Sequence, residues 1–412
     1  MNLASVIVLI VIIALGVGFY TFQNKSTIIA PNYQQEKPTD LEKTNENKSS
    51  PISTQSQAPT KQFGNVQSGC TGKGTVNFTY SPQRLEDNEM IQPNGLMIGG
   101  HVTPIDHGYY IGKNWTIIPD PNTYHDVLSP TDGVITDIGI VGLGAGDYRL
   151  VVHHTCSFYT IYIHVKELSP RISQLAGSIP SNKNIPVKAG EVIGRANGFD
   201  FSAHNDEITL PGFIYPEHYK GESWKVHTVD AYDYFNEPLR SQLVAKLTRT
   251  TPPVGGKIDY DIDGRLVGNW FKENTNWYDG LAHKEEGYWS GHFALAYDAL
   301  DPTHIIISLG NYSGEAKQFG VKGNGPDPAS VSKNSGLIKY ELVGFEYKIG
   351  DTGQYWNRRS YAANLKAENG NNVEGVVLVQ LIEDRKLKLE IFPDKTTSEV
   401  SGFTNNAIVY ER

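Results

Sequence analysis

Leu128-Ser-Pro-Thr-Asp-Gly-Val-Ile-Thr-Asp-Ile-Gly139, Asp147-Tyr-Arg-Leu-Val-Val-His-His154, Tyr159-Thr-Ile-Tyr-Ile-His-Val165 and Val187-Lys-Ala-Gly-Glu-Val-Ile-Gly194 follow one another along the chain. Each is a short β-branched or aromatic run, and Gly, Pro and Asp separate them at near-regular spacing. That pattern predicts a compact antiparallel sheet. No run between Leu128 and Gly198 carries a sustained period of 3.6, so no helix is expected there.

The 412 residues exceed one ordinary domain, and 39% hydrophobic with 20% charged is a globular composition. Gly 41 and Tyr 23 against Met 3 fit a turn-rich β protein with aromatic-lined sheets. A net charge of -9, with no basic cluster, excludes a nucleic-acid partner, because nothing would replace counterions along a phosphate backbone.

Leu3 to Phe22 is almost wholly aliphatic or aromatic, and no charged side chain precedes Lys25. About twenty such residues span the roughly 30 Å hydrocarbon core of a bilayer as a helix. A signal peptide would want Lys or Arg at its start and a small-residue cleavage site, and neither is present. Residues 1–23 are therefore expected to be a retained transmembrane anchor. Residues 24–66 are rich in Ser, Thr, Pro, Asn, Gln and Lys and read as a disordered tether. Such a coil of ~43 residues reaches roughly 35–40 Å. Lys25, Lys37 and Lys43 favour a cytoplasmic body by the positive-inside rule, whereas the tether type favours an extracytoplasmic one. Cys70 and Cys156 could form one disulfide in an oxidising compartment or remain thiols.

The order of the core runs resembles the lysostaphin-like zinc endopeptidases, the LytM-type cell-wall hydrolases. The shared features are a Pro-x-Asp-Gly-x-Ile strand, a Val-x-x-His strand, a Thr-x-Tyr-x-His strand and a Val-Lys-x-Gly-x-x-Ile-Gly turn. The resemblance covers residues 67–250 and implies a zinc site built from His-x-x-x-Asp and His-x-His motifs. His101 and Asp106 stand near the first motif, five apart instead of four, with Pro104 between them. At the second, Phe199-Asp-Phe-Ser-Ala-His204 carries no His-x-His, and strand alignment puts Asp200 where a ligand His belongs. His101, Asp106, Asp200 and His204 are thus the metal candidates, and His164 and His154 the catalytic ones. Alternation along the strand places Tyr162 and His164 on the polar face, with Ile161, Ile163 and Val165 on the other.

Residues 251–412 form a second β-rich domain, a barrel or sandwich. Its strands start at Ile305, Leu337, Val376 and Leu387, with a charged hairpin at Glu383-Asp-Arg-Lys386. Gly268-Asn-Trp270 is similar to the Gly-x-Trp start of lipocalin-like barrels. Asp259-Tyr-Asp-Ile-Asp263-Gly264 opens like a calcium loop, but Trp270 holds the twelfth position where a bidentate Glu is needed, so a polar turn is expected. Short flanking elements are expected too, a strand over Thr75–Pro82 and a helix within 238–251 before a Pro-Pro hinge.

The expectation is a mainly β chain: an antiparallel lysostaphin-like β core and a second β-rich domain, a barrel or sandwich similar to the lipocalin-like barrels, behind an N-terminal transmembrane helix. Three functions remain open. One is a pseudoenzyme, membrane-anchored with an extracytoplasmic body, in which a metallopeptidase-like domain binds or scaffolds without metal. Another is a zinc metalloendopeptidase acting on peptide or cell-wall polymer. The third is a small-ligand carrier acting through the C-terminal barrel. Partners would be the membrane together with a peptide, a glycan or a small ligand.

Overall fold

The computed structural model describes residues 70–116, 120–141, 146–179, 181–280 and 287–412. The apolar segment Leu3 to Phe22 and most of the tether lie outside them. Among the described residues no helix is long and apolar enough to cross a membrane.

Two β assemblies account for the fold. The first contains β1 (Asn88–Gln92), β2 (Gly108–Gly112), β3 (His125–Leu128), β4 (Gly133–Ile140), β5 (Tyr148–His153) and β6 (Phe158–Val165), followed by β7 (Glu167–Leu168), β8 (Ser181–Val187), β9 (Val192–Ala196), β10 (Gly198–Asn205) and β11 (Thr228–Val229). The large antiparallel sheet runs β1-β2-β10-β6-β5-β4-β8, with β11 beside the far end of β10. A smaller sheet, β3-β9-β7, lies over one face. Between them Leu150, Val152, Phe158, Tyr162, Phe199, Phe201 and Ala203 pack with Val127 and Ile193 of the small sheet. Burying aromatic and β-branched groups in this layer supplies the main driving force, roughly 25 cal/mol per Å² of apolar surface.

Three local expectations need correction, and a fourth, the helix within 238–251, is met by a shorter element. A short helix, α1 (Pro170–Ala176), does form inside the core stretch, capped by the Ser169 side chain and buried through Ile172 and Ala176. Pro at the first helical position and a Ser cap stabilise it without any long periodic pattern. Thr75–Pro82 is not a continuous strand, since only Phe78 makes a bridge there, to Phe235. The helix expected within 238–251 is confined to α2 (Leu239–Val244). The remaining correction, the face of Tyr162 beside His164, shapes the site.

The second assembly is a closed antiparallel barrel in sequence order. Its strands are β12 (Gly268–Lys272), β13 (His292–Tyr297), β14 (Ile305–Tyr312), β15 (Glu315–Val321), β16 (Ile338–Ile349), β17 (Leu365–Glu383), β18 (Lys386–Pro393) and β19 (Ile408–Glu411). Closure removes the unpaired strand edges that invite aggregation. Its interior is filled by Trp270, Phe293, Phe319, Tyr340, Leu342, Val377, Leu387 and their neighbours. Trp270 is fully buried, donates its indole N–H to Leu266 O at 2.8 Å, and carries the Arg412 guanidinium 4.0 Å above its ring.

The barrel sits against the second face of the large sheet. Met90, Ile105, Tyr109 and Ile111 pack with Leu300, Tyr347 and Trp356, and Phe213, Tyr219 and Val226 with Phe271 and Tyr278. Gln318 clamps the Gly99 backbone through both its amide groups, at 2.9 and 3.0 Å.

Candidate functional site

The second face of the large sheet is where the polar side chains collect. On β10 alternation sends Asp200, Ser202 and His204 one way and Phe199, Phe201 and Ala203 into the core. Asp200 pairs across to Tyr109 of β2 and Ile163 of β6.

His164 reaches this face by an irregularity. Leu150 pairs with Tyr162 and Tyr148 with Val165, so Ile163 and His164 together stand opposite the single residue Arg149. This is a β-bulge, and His164 takes the left-handed backbone at φ 66°. Simple alternation would group Tyr162 with His164, but Tyr162 and Val165 both lie in the core. The extra residue alone brings His164 round to the polar side.

There His164 Nδ1 lies 3.0 Å from Asp147 Oδ1, and its Nε2 3.8 Å from Asp200 Oδ2. Lys166 closes the outer end, 2.9 Å from Asp147 Oδ2. On the inner side His107, just before β2, stands between two carboxylates. Its Nε2 is 3.2 Å from Asp200 Oδ2 and its Nδ1 3.3 Å from Asp106 Oδ1. Lys225, 1% exposed, donates to Pro104 O at 2.7 Å below this cluster. The result is a chain of alternating charge, Lys166–Asp147–His164–Asp200–His107–Asp106.

The electrostatics follow from that order. Burial alone would lower His107, but Asp200 and Asp106 outweigh it and raise the ring to about 9. Burial would raise Asp200, yet His107 and His164 hold it below the usual carboxylate range. Asp106 is likewise held low against burial, by Lys225 and His107. Burial works against His164 as well, and Asp200 and Asp147 raise it overall. His101 stands edge-on to the His107 ring, centroids 5.7 Å apart, and burial with the neighbouring His107 charge lowers it to about 3.

His204 and His154 do not join this chain. His204 Nδ1 lies 2.9 Å from Trp224 O, a pure acceptor, so Nδ1 carries the proton and Nε2 accepts from Ser202 Oγ at 2.7 Å. By the same logic His154 donates from Nδ1 to Asp132 O at 3.0 Å and accepts at Nε2 from Thr160 Oγ1 at 3.0 Å. His154 lies on the opposite, core side of the sheet, edge-on to Phe78. Burial lowers both rings to about 4.

Tested as zinc ligands, these donors do not fit. Asp106 and Asp200 have the His107 ring between them, 3.3 and 3.2 Å away, and the free lone pair of His204 is taken by Ser202. An open zinc site wants three protein donors aimed at one point. Among the described residues no group of three or more His, Cys, Asp or Glu is placed to hold a metal ion. The calcium-like loop is occupied by protein partners too: Asp259 meets Lys257 and the Gly212 N–H, Asp261 the Asn269 N–H, and Asp263 both ends of Arg385.

His107, Asp147 and Lys225 complete the site without having been singled out by sequence. A signal for His107 was present in Asp106-His107-Gly108, contiguous polar groups at the mouth of a strand. Lys225 offered none.

The barrel covers the inner half of this face. Trp289 presses on the loop before Asp106 so closely that a Cβ at Gly100 would lie 3.0 Å from its ring. Tyr278 donates to Glu222 Oε2 at 2.8 Å beside Lys225. A recess of about 410 Å³ opens at the barrel by Lys272, Gly291 and Asn311, with Leu389, Ile391 and Tyr410 also lining it. Cys70 and Cys156 are joined in a disulfide that pins the start of the described chain to the β5–β6 turn.

No protein-family model matches the chain. No curated protein matches it in sequence. Among solved structures, the NMR solution structure of lysostaphin is similar at 13% identity and a TM-score of 0.23, over 71% of this chain and 100% of that one. Likeness at that level leaves the site's own geometry as the basis for function.

Proposed function

We propose that the chain is a membrane-anchored, extracytoplasmic protein whose metallopeptidase-like β domain acts as a binding or scaffolding module without hydrolysis. One observation carries this reading. His107 stands between Asp106 and Asp200, within 3.3 Å of each, where an open metal site would need both carboxylates free. The covering barrel supports it further, since a hydrolase acting on a polymer needs an accessible face. The Cys70–Cys156 disulfide suits an oxidising compartment, and Leu3 to Phe22 suits an anchor.

The test is metal analysis of the full chain, purified in detergent and reconstituted with zinc, alongside an assay for cleavage of cell-wall polymer. Substoichiometric zinc and no cleavage are expected. About one tightly held zinc per chain, lost in His101→Ala or Asp106→Ala, would establish the zinc endopeptidase instead.

A second reading, a small-ligand carrier with a lipocalin-like barrel, draws support from the recess of about 410 Å³ at the barrel, a volume in the range of small-molecule sites. The filled interior weighs against deep insertion of a ligand. A fluorescent hydrophobic probe that binds the full chain and is displaced by a small amphipathic compound would favour it.

A further inference from the structure

Four planar groups are stacked across the seam between the sheet assembly and the barrel. Arg385 lies 4.4 Å above the Tyr215 ring. Tyr215 stacks on His218 with centroids 4.8 Å apart, and His218 on Trp277 at 4.3 Å and only 9° from parallel. Arg385 is fixed by a two-pronged pair with Asp263 at 2.9 and 3.1 Å. The ladder is therefore anchored at its charged end and, among the described residues, ends at the indole. Trp277 is 36% exposed, consistent with one face covered by His218 and the other turned to solvent.

The backbone beneath that indole is unusual. Trp277 sits at φ 51°, in the left-handed region that disfavours bulky side chains. The tight loop is closed by Asn276 N–H to Gly280 O at 3.2 Å and Gly280 N–H to Trp277 O at 3.0 Å. Gly or Asn would adopt this backbone more easily. Stacking on His218 uses one face of the ring and explains a staple across the seam, but among the described residues no ring contact uses the outer face.

We propose that the outer face of Trp277 is the platform of a glycan-binding site, on which a pyranose ring stacks. The proposal rests on the reading of the chain as an extracytoplasmic binding module and names its ligand class. A pyranose offers a neutral, C–H-rich face to an aromatic ring and hydroxyls around its rim. Asn274, Asn276 and Asp279 are exposed beside Trp277 and supply amide and carboxylate partners for such hydroxyls. Nucleobases fit worse, because Asp279 and Glu217 would face their phosphates and the chain carries a net charge of -9. Burial lowers the His218 ring, which favours its neutral form against the indole.

The experiment is a fluorescence titration of the full chain in detergent with short β-1,4-linked oligomers of N-acetylglucosamine. A saturable shift in tryptophan emission is expected. Trp277→Phe should weaken binding about tenfold, the equivalent of one aromatic contact. Asn276→Ala, which removes an exposed side chain and keeps the backbone N–H that closes the loop, should weaken it without lowering the melting temperature, which covers the case in which the Trp277 variant is unstable. No saturable response, or equal affinity in both variants, overturns the platform. A response to choline and not to the oligomer overturns it in favour of a cation site. Co-sedimentation with insoluble cell-wall polymer separates the two claims. Sedimentation that survives Trp277→Phe keeps the module and removes the platform, and oligomer binding without sedimentation does the reverse.

Discussion

The sheet assembly and the barrel are built from the same antiparallel strands, yet they differ in what the second surface of the sheet holds. The barrel turns its inner surface onto a continuous apolar filling. The large sheet has an apolar core on one face and, on the other, an ion-paired chain whose inner half is covered by the barrel. An apolar filling tolerates change in proportion to the volume lost. A buried chain of charge is tolerated only while every member has its partner.

The largest expected contrast is in response to pH. His101, His153, His154 and His204 in the sheet assembly are held at about 3 to 4 by burial, against an ordinary value of 6.5. They are neutral when folded, whereas the unfolded chain takes up protons at 6.5. The stability they carry is complete above that value and is lost as pH falls toward 4. His107 has the opposite sign. Raised to about 9, it contributes fully below 6.5 and its contribution is lost as pH rises through 9. In the barrel's own strands only His292 has a comparably lowered ring among the described residues, at about 3. The sheet assembly should therefore be most stable near neutrality and unfold first in acid. Hydrogen exchange at pH 4.5 should show the sheet amides opening before those of β13 to β18, and the reverse order would break the contrast.

Next in size are single substitutions. Asp200→Ala leaves the His107 cation buried beside one carboxylate and should cost about 3–5 kcal/mol in urea unfolding. Replacing His107 with Leu in the same chain removes the stranded charge and should recover more than half of that. Leu387→Ala in the barrel should cost about 2–5 kcal/mol through the cavity it leaves. Its cost should not vary between pH 5 and 9, whereas that of Asp200→Ala should shrink as His107 loses its proton.

The disulfide marks a smaller difference. Cys70 and Cys156 are 86 residues apart, and closing a loop of that size removes much unfolded-state entropy. Cys70→Ser with Cys156→Ser should lower stability by about 2–4 kcal/mol. The loss belongs to the sheet assembly, so barrel protection in hydrogen exchange should be unchanged.

What sequence could and could not say divides along the same boundary. The alternating runs from Leu128 to Gly194 and the strands at Ile305, Leu337, Val376 and Leu387 were legible because side-chain period and turn residues report local backbone directly. Asp200, His101 and Asp106 were legible as polar groups in an apolar frame. Their partners were not, because His107 meets Asp200 only through the pairing of β2 with β10, and Lys225 arrives from a loop with no regular period. The face of Tyr162 was misjudged for a physical reason: alternation assumes an unbroken ladder, and one inserted residue beside His164 breaks it, so the two do not share a face.

That inserted residue gives the smallest and most local test. Truncating His164 strands no charge, since Asp147 keeps Lys166 and Asp200 keeps His107. Its cost should therefore be modest, and it should depend on the replacement through the backbone. At φ 66° alanine remains strained, glycine is not, and asparagine is intermediate. His164→Gly should thus be the more stable variant by about 1 kcal/mol over His164→Ala, with Asn between them, an inversion of the usual ranking in a strand. Equal stability of the Gly and Ala variants would mean that the strand relaxes to simple alternation once the ring is gone. In that case the pull of Asp147 and Asp200 on the imidazole, and not the chain's own register, would be what holds the bulge open.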